Sequence, residues 1–493
     1  MSEQLYIKSP FVFEYQISEG VCCLYNSITI DVMYVLDKRT NELWDRFERG
    51  TAINFDGMMK SDFLYALLKK RFIVKSEEGL IDDIISRAEK EVRVRDSNIK
   101  ILYVVPTLKC NLDCKYCHIE YLPSKYKELD IDPSSIDKGL KLFFRYADVN
   151  EKLEIIFYGG EPFLRFDLVE YVVDRCRSEY GKYNLKYTVF TNATMIKEEQ
   201  VKFIKDNHLF LIVSLDGDKC VNDISRHYKS GKGSFEDIRQ CCQMLRRYDV
   251  KFGVSLVMGT HNIDRLEECV RYIMNEIRPV DLGISTLHLF PDGGHPYEVP
   301  IESLTERMIE VFKLVRTKNF YVEHLFRRIR PFVEQKIRWK DCPSCGNKLL
   351  IYPKNRIGFC EAFMGTDNYN VDLDGFDLET DEGYKQWSAR SPLLNRPCYE
   401  CPAIGICGGG CPYDAFVSKG SIMEVDERRC VQSKKLLAWL LDDLYNTFPI
   451  RNVDCGYYMP TPEDRRRLYG NIVFGSHIPL QTYSSAGEKD VKL

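Results

Sequence analysis

Between residues 100 and 290 the chain alternates short apolar, β-branched runs with amphipathic stretches of helical period. The runs are Ile101-Leu-Tyr-Val-Val, Leu153-Glu-Ile-Ile-Phe, Leu185-Lys-Tyr-Thr-Val-Phe, Phe210-Leu-Ile-Val-Ser-Leu, Lys251-Phe-Gly-Val-Ser-Leu-Val and a sixth, Leu282-Gly-Ile-Ser-Thr-Leu. Between them, segments such as Leu168-Val-Glu-Tyr-Val-Val-Asp-Arg-Cys gather apolar residues on one helical face. The alternation predicts parallel βαβ units in an α/β fold, and six units suit a partial (β/α)6 TIM-like barrel. An open doubly wound sheet satisfies the same pattern.

The flanks have other rhythms. Before residue 95, Ser27 to Leu36 reads as a strand or hairpin. A helical pattern from Asn41 ends at Gly50, and a second, from Ser61, leads into the short strand Phe72-Ile-Val. Leu80, Ile81, Ile84, Ile85 and Ala88 mark one face of a further helix. These pieces predict a compact winged-helix module. From about Asp341 the strand–helix rhythm stops and cysteines crowd together. The boundaries are therefore 1–95, 96–335, 336–450 and a tail of 451–493 in which no chemistry is legible.

Composition narrows the function classes. A chain of 493 residues buries a large core without disulfides. A net charge of -4 and a pI near 6.2 argue against broad nucleic-acid binding. The charged N-terminus and the lack of ~18 unbroken apolar residues predict no signal peptide, no membrane span and a cytoplasmic location. In such a chain 19 cysteines read as metal or cluster ligands before disulfides.

The first apolar run is followed by Cys110-Asn-Leu-Asp-Cys114-Lys-Tyr-Cys117, a C-x3-C-x2-C spacing. Three thiolates on one short loop can hold three corners of a cubane iron–sulfur cluster, and no fourth ligand stands at zinc spacing. With Tyr116 before the last cysteine, the motif resembles that of the radical S-adenosylmethionine (SAM) superfamily. The resemblance implies that SAM chelates the fourth iron and, on one-electron reduction, yields a 5′-deoxyadenosyl radical. Gly159-Gly160-Glu161-Pro162 at the end of the second run resembles the family's Gly-Gly-Glu-Pro, which contacts the SAM amino group. Asn192, Ser214 and Asp216 resemble its polar strand ends. Arg226 is expected to pair with the methionyl carboxylate.

Further on stand Cys342, Cys345, Cys360, Cys398, Cys401, Cys407, Cys411 and Cys430. Eight cysteines make two sets of four, enough for two clusters or two zinc sites. The arrangement resembles the SPASM extension of radical SAM enzymes. That resemblance implies one auxiliary [4Fe-4S] cluster on Cys342, Cys345, Cys360 and Cys411, and another on Cys398, Cys401, Cys407 and Cys430. With the SAM cluster this makes three. Asn355 stands where the family has a glycine in a hairpin; asparagine tolerates the left-handed turn that position needs. The other eight cysteines read as buried small hydrophobes. Glu361, next to Cys360, is placed to accept the proton lost when a substrate radical is oxidised.

The N-terminal module resembles the peptide-recognition winged helix of maturases acting on ribosomally made peptides. It implies a precursor peptide held through its leader by strand addition. Together the modules imply a peptide maturase that installs an oxidative cross-link (carbon–carbon, thioether or ether). An external one-electron reductant of the flavodoxin or ferredoxin type would supply it, with neither nucleic acid nor membrane as partner. Formylglycine formation on a sulfatase and small-molecule dehydrogenation are the alternatives.

Overall fold

The computed structural model describes residues 5–47, 53–54, 61–75, 80–95, 99–123, 125–318, 320–447 and 455–469. The expected C-cap at Gly50 lies outside them. In the N-terminal part, strands β1 (Leu5–Lys8), β5 (Ile53–Asn54) and β6 (Ile73–Lys75) form a small antiparallel sheet in the order β5-β1-β6. Strands β2 (Val12–Ser18), β3 (Val21–Asn26) and β4 (Val32–Val35) form an antiparallel meander. Leu24, Met33, Trp44, Phe63, Leu67 and Phe72 share one core between these strands and the helices Lys38–Asp45 and Asp62–Lys69. Strands β1, β2 and β3 all precede the span expected to hold a strand or hairpin; β2 is hidden because its polar alternation, as in Glu14 and Gln16, offers no apolar run.

Six strands then lie side by side in chain order, each parallel to the next. They are β7 (Ile101–Val104), β8 (Lys152–Phe157), β9 (Asn184–Thr191), β10 (Phe210–Ser214), β11 (Phe252–Met258) and β12 (Asp281–Thr286). Because the order never reverses, the sheet is not doubly wound. One parity of side chains, including Leu102, Ile155, Val189 and Leu211, packs under the surrounding helices. The other parity, including Tyr103, Phe190, Ile212 and Ser255, lines a cavity, so the sheet curls around it. The helix Pro133–Tyr146 shows how the sequence sets this layer. Asp132 caps it by accepting from the Ser135 N–H, proline fills its first position, and Ile136, Leu140 and Phe143 bury one face.

The cysteine-rich region continues this sheet. Strand β13 (Lys348–Tyr352) pairs in parallel with β7, Lys348 opposite Ile101. It then turns into β14 (Arg356–Gly358), followed by β15 (Asn370–Asp372), making nine strands in all. The boundary near 336 is therefore a change of chemistry and not a break in the sheet. Lys354 and Asn355 both have positive φ in the β13–β14 hairpin, as the asparagine was expected to allow. Asn355 also donates to Asp372 at 2.7 Å.

The stretch read as a tail is partly built into the fold. Strand β16 (Tyr457–Tyr458) pairs with β4, Tyr458 opposite Tyr34. The helix Pro462–Tyr469 follows, and in it Arg465 is fully buried, donating to the Phe332 carbonyl at 2.6 Å. A two-residue strand and a helix carrying five charges show no hydrophobic period, which is why the sequence hides them. Among the described residues no helix is long and apolar enough to cross a membrane.

Candidate functional site

The ends of the parallel strands open into a cavity of about 420 Å³ whose lining includes Cys110, Cys114 and Cys117. Asn192 Nδ2 lies 3.7 Å from the Cys110 sulfur and Arg226 Nη1 3.9 Å from that of Cys114, donors that favour thiolates. Burial pushes the free thiols up to about 12 for Cys110 and Cys114 and about 11 for Cys117, and repulsion among the three sulfurs adds to it. Three convergent, soft, cavity-facing sulfurs that hold their protons until a cation displaces them fit an iron–sulfur cluster.

The turn after β8 lies against this loop. Gly160 N–H donates to the Thr107 carbonyl at 3.0 Å, and Glu161 N–H to the Lys109 carbonyl at 2.7 Å. A Cβ on Gly160 would stand 1.9 Å from the Lys109 oxygen, so only glycine permits the approach. Gly159 and Gly160 line the cavity, whereas Glu161 and Pro162 lie beneath its wall. Glu161 accepts from the Phe163 N–H at 3.0 Å, Thr191 Oγ1 at 2.8 Å and the Asn192 N–H at 2.7 Å. Burial, partly offset by these bonds, raises its pKa to about 7. Both carboxylate oxygens thus fasten the end of β9 to this turn.

Asn192 and Ser214 line the cavity; Asp216 does not. Asp216 is fully buried and accepts from Arg226 Nε at 3.0 Å, Ser225 Oγ at 3.1 Å, the Val257 N–H at 3.0 Å and the Tyr116 hydroxyl. Burial raises its pKa, but Arg226, His261 and Tyr116 outweigh that and hold it below the usual carboxylate range. Arg226 lines the cavity as well. Its Nε and Nη2 embrace Asp216, only ten residues away, because an unpaired buried carboxylate there costs several kcal/mol (about 3–5). Through Tyr116, which stacks on His261 at 5.6 Å, this pair fixes the cysteine loop from behind. The sequence reading missed His261; a lone histidine between apolar strands carries no spacing signal.

The eight downstream cysteines fall into two groups. Cys360 feels the charge of Cys342 and Cys411, and Cys345 that of Cys342. Separately, Cys398 feels Cys401, Cys407 and Cys430. Gly408, Gly409 and Gly410 all have positive φ, a path closed to most residues, and bring Cys407 and Cys411 round the Arg390 guanidinium. Of the remaining cysteines, Cys220 and Cys455 are exposed and Cys22 is half-buried, so these three are not core residues as expected.

Glu361 lines the cavity, but Lys348 is bonded to it. Burial raises the Glu361 pKa, yet Lys348 wins and lowers it, which weakens it as a base. His288 was not foreseen: it sits 3.2 Å from Asp414 and 3.8 Å from the Cys411 sulfur. At another part of the wall Asp281 is buried, its Oδ2 without a partner, and burial lifts its pKa to about 7. An unfolded aspartate loses its proton near 4, so between about pH 4 and 7 the folded state binds the extra proton and stability falls with rising pH. Asp281→Asn is expected to remove this penalty. Thermal unfolding should show the variant more stable by on the order of 4 kcal/mol at pH 8, with the gain vanishing near pH 4. A gain independent of pH would contradict this account.

A curled parallel sheet with a three-cysteine loop at its open end defines a cofactor-dependent α/β enzyme site. Residues 104–273 match the family model described as Radical SAM superfamily, so the chain carries a radical SAM domain. An uncharacterized protein of Methanocaldococcus jannaschii is 35% identical over 176 residues, which are 36% of this chain and 59% of that protein. The radical SAM cyclopropyl synthase TigE of Paramaledivibacter caminithermalis is 22% identical, covering 89% of this chain and 94% of its own. Sulfatase-maturating enzymes and a subtilosin biosynthesis protein are also relatives. Among solved structures, Streptococcus suis SuiB bound to precursor peptide SuiA has the same fold, with TM-score 0.53, 16% identity, 86% of this chain and 99% of that one covered.

Proposed function

We propose that the protein is a cytoplasmic radical SAM peptide maturase that forms an oxidative cross-link in a ribosomally made precursor. The observation that carries this reading is the gathering of eleven cysteines into one cavity-facing group of three and two groups of four. In this reading Cys110, Cys114 and Cys117 hold a [4Fe-4S] cluster that, when reduced, supplies the electron for SAM cleavage. The other two groups hold auxiliary clusters of a SPASM-type extension. Asn192 and Ser214 would orient SAM on the cavity wall, while Glu161, Asp216 and Arg226 hold that wall in place. Glu361 would take the substrate proton; its ion pair with Lys348 keeps it ionised and so able to accept, while limiting its strength as a base.

The N-terminal strands and helices serve as the winged-helix leader dock. Since β16 covers the β4 edge, the edge of the meander left for strand addition is β2. The named activities of TigE and of the SuiB complex with SuiA support a peptide substrate. Relatives named as sulfatase-maturating enzymes favour formylglycine formation as a second reading. Co-expression with a precursor peptide encoded beside this chain, followed by mass spectrometry, tests both. Loss of two hydrogens with fragmentation blocked between two residues is the expected result. Loss of two hydrogens confined to one serine, or loss of two hydrogens at one cysteine with its sulfur exchanged for oxygen from water, supports the second reading, and an unchanged peptide overturns both.

A further inference from the structure

The helix Glu323–Glu334 packs against β12 and closes the side of the cavity between β12 and the Cys342 segment. Its Arg327 and Arg328 line the cavity, with Asp341 between them. The charges do not balance. Asp341 makes its close ion pair with Arg338, at 2.6 Å, and lies 3.8 Å from both Arg327 and Arg328. Arg328 is only 6% exposed and its guanidinium donates no hydrogen bond to any described residue. Arg327 Nε is likewise buried without a partner. Arg429 stands nearby with Asp426 3.8 Å from it, and Glu323 is the other carboxylate, so four guanidiniums face three acids. Burial depresses the Arg328 pKa, and Arg429, Arg327 and Arg338 add to that against the pull of Asp341.

A planar fork of donors, desolvated and turned towards a cavity, requires an anion of matching shape, and a carboxylate accepts such a fork in bidentate fashion. We infer that Arg327 and Arg328 form a carboxylate subsite that receives an acidic group of the substrate peptide, either a side-chain carboxylate or a terminal one. The inference rests on the peptide-substrate reading, but its test requires no turnover. Arg327 feels the charge of Cys342, so the pair borders the Cys342 group, whereas Asn192 and Ser214, the residues assigned to SAM, stand at the ends of β9 and β10. The subsite therefore acts on specificity and binding.

The test measures binding to the reconstituted full chain with SAM at saturation. Three probes are used: N-acetyl-glutamate N-methylamide, its glutamine isostere, and N-acetyl-glutamine with a free terminal carboxylate. One of the two acids should bind about tenfold more tightly than the neutral isostere, and which one identifies the source of the carboxylate. Arg328→Gln should bring that ratio close to one, and Arg328→Lys should restore part of it. If Arg328→Gln does not fold, Arg327→Gln provides the same comparison. Equal binding of all three probes to the wild type overturns the proposal. So does a preference untouched by either glutamine variant. A glutamine variant that shifts the midpoint potential of a cluster while the wild type shows no acid preference overturns it too, and assigns the arginines to charge balance of the Cys342 group. Failure of the maturase reading would appear separately, as an unmodified precursor with probe discrimination intact.

Discussion

Cys114→Ala should abolish 5′-deoxyadenosine release from SAM under reducing, anoxic conditions, by at least about three orders of magnitude, whereas Cys401→Ala should retain release and lose the modified peptide. The difference follows from position. Cys114 faces the cavity with Arg226 on its sulfur, and no other described thiol can replace it in the three-cysteine loop. Cys401 belongs to a group that does not line the cavity and whose sulfurs interact with one another. In the proposed reading, removing it would strip an electron acceptor from the later half of the reaction and leave the first half intact. Iron content, adenosine yield and peptide mass measured on the same preparations separate the two. Equal loss of adenosine in both variants would remove the division between initiating and accepting clusters.

Gly160→Ala should be nearly as damaging, although the residue contributes no side chain. The added carbon meets backbone at Lys109, which cannot rotate away, so the loop bearing Cys110 must move. Overpacking of this kind costs about 1–3 kcal/mol. The barrel core, spread over six strands, has far more than that holding it together, so circular dichroism should change little. The expected result is a folded protein that fails to retain iron at the three-cysteine loop and does not cleave SAM. Full iron retention would show that the two loops are not bound to each other as their hydrogen bonds indicate.

How much of this was written in the chain depends on the kind of signal. The six parallel strands were legible because strands buried on both faces must be apolar throughout, and Leu102, Ile155, Val189 and Leu211 meet that demand. The cysteine groups were legible because ligand spacing on short loops is a local property. Roles were less so. Glu161 and Asp216 carry motif-like positions, yet their side chains turn into the wall, and which way a side chain points is decided by partners distant in sequence. Thr191 for Glu161, and Tyr116 and Val257 for Asp216, are such partners. The arginine pair of the seam was invisible for the same reason. Arg327 and Arg328 read as ordinary charges on an amphipathic helix until β12 and Asp341 are set beside them.

The pairing of β16 with β4 has a bearing on how the molecule is made. Ribosomes deliver the meander first, and its partner strand only after the whole barrel and both cysteine groups have been synthesised. Throughout that interval the β4 edge, with its row of unpaired amides, is open to other chains, and burial of Arg465 against Phe332 can follow only once the last helix emerges. The nascent protein therefore passes through a long window in which protection of that edge from other chains decides whether it folds or aggregates.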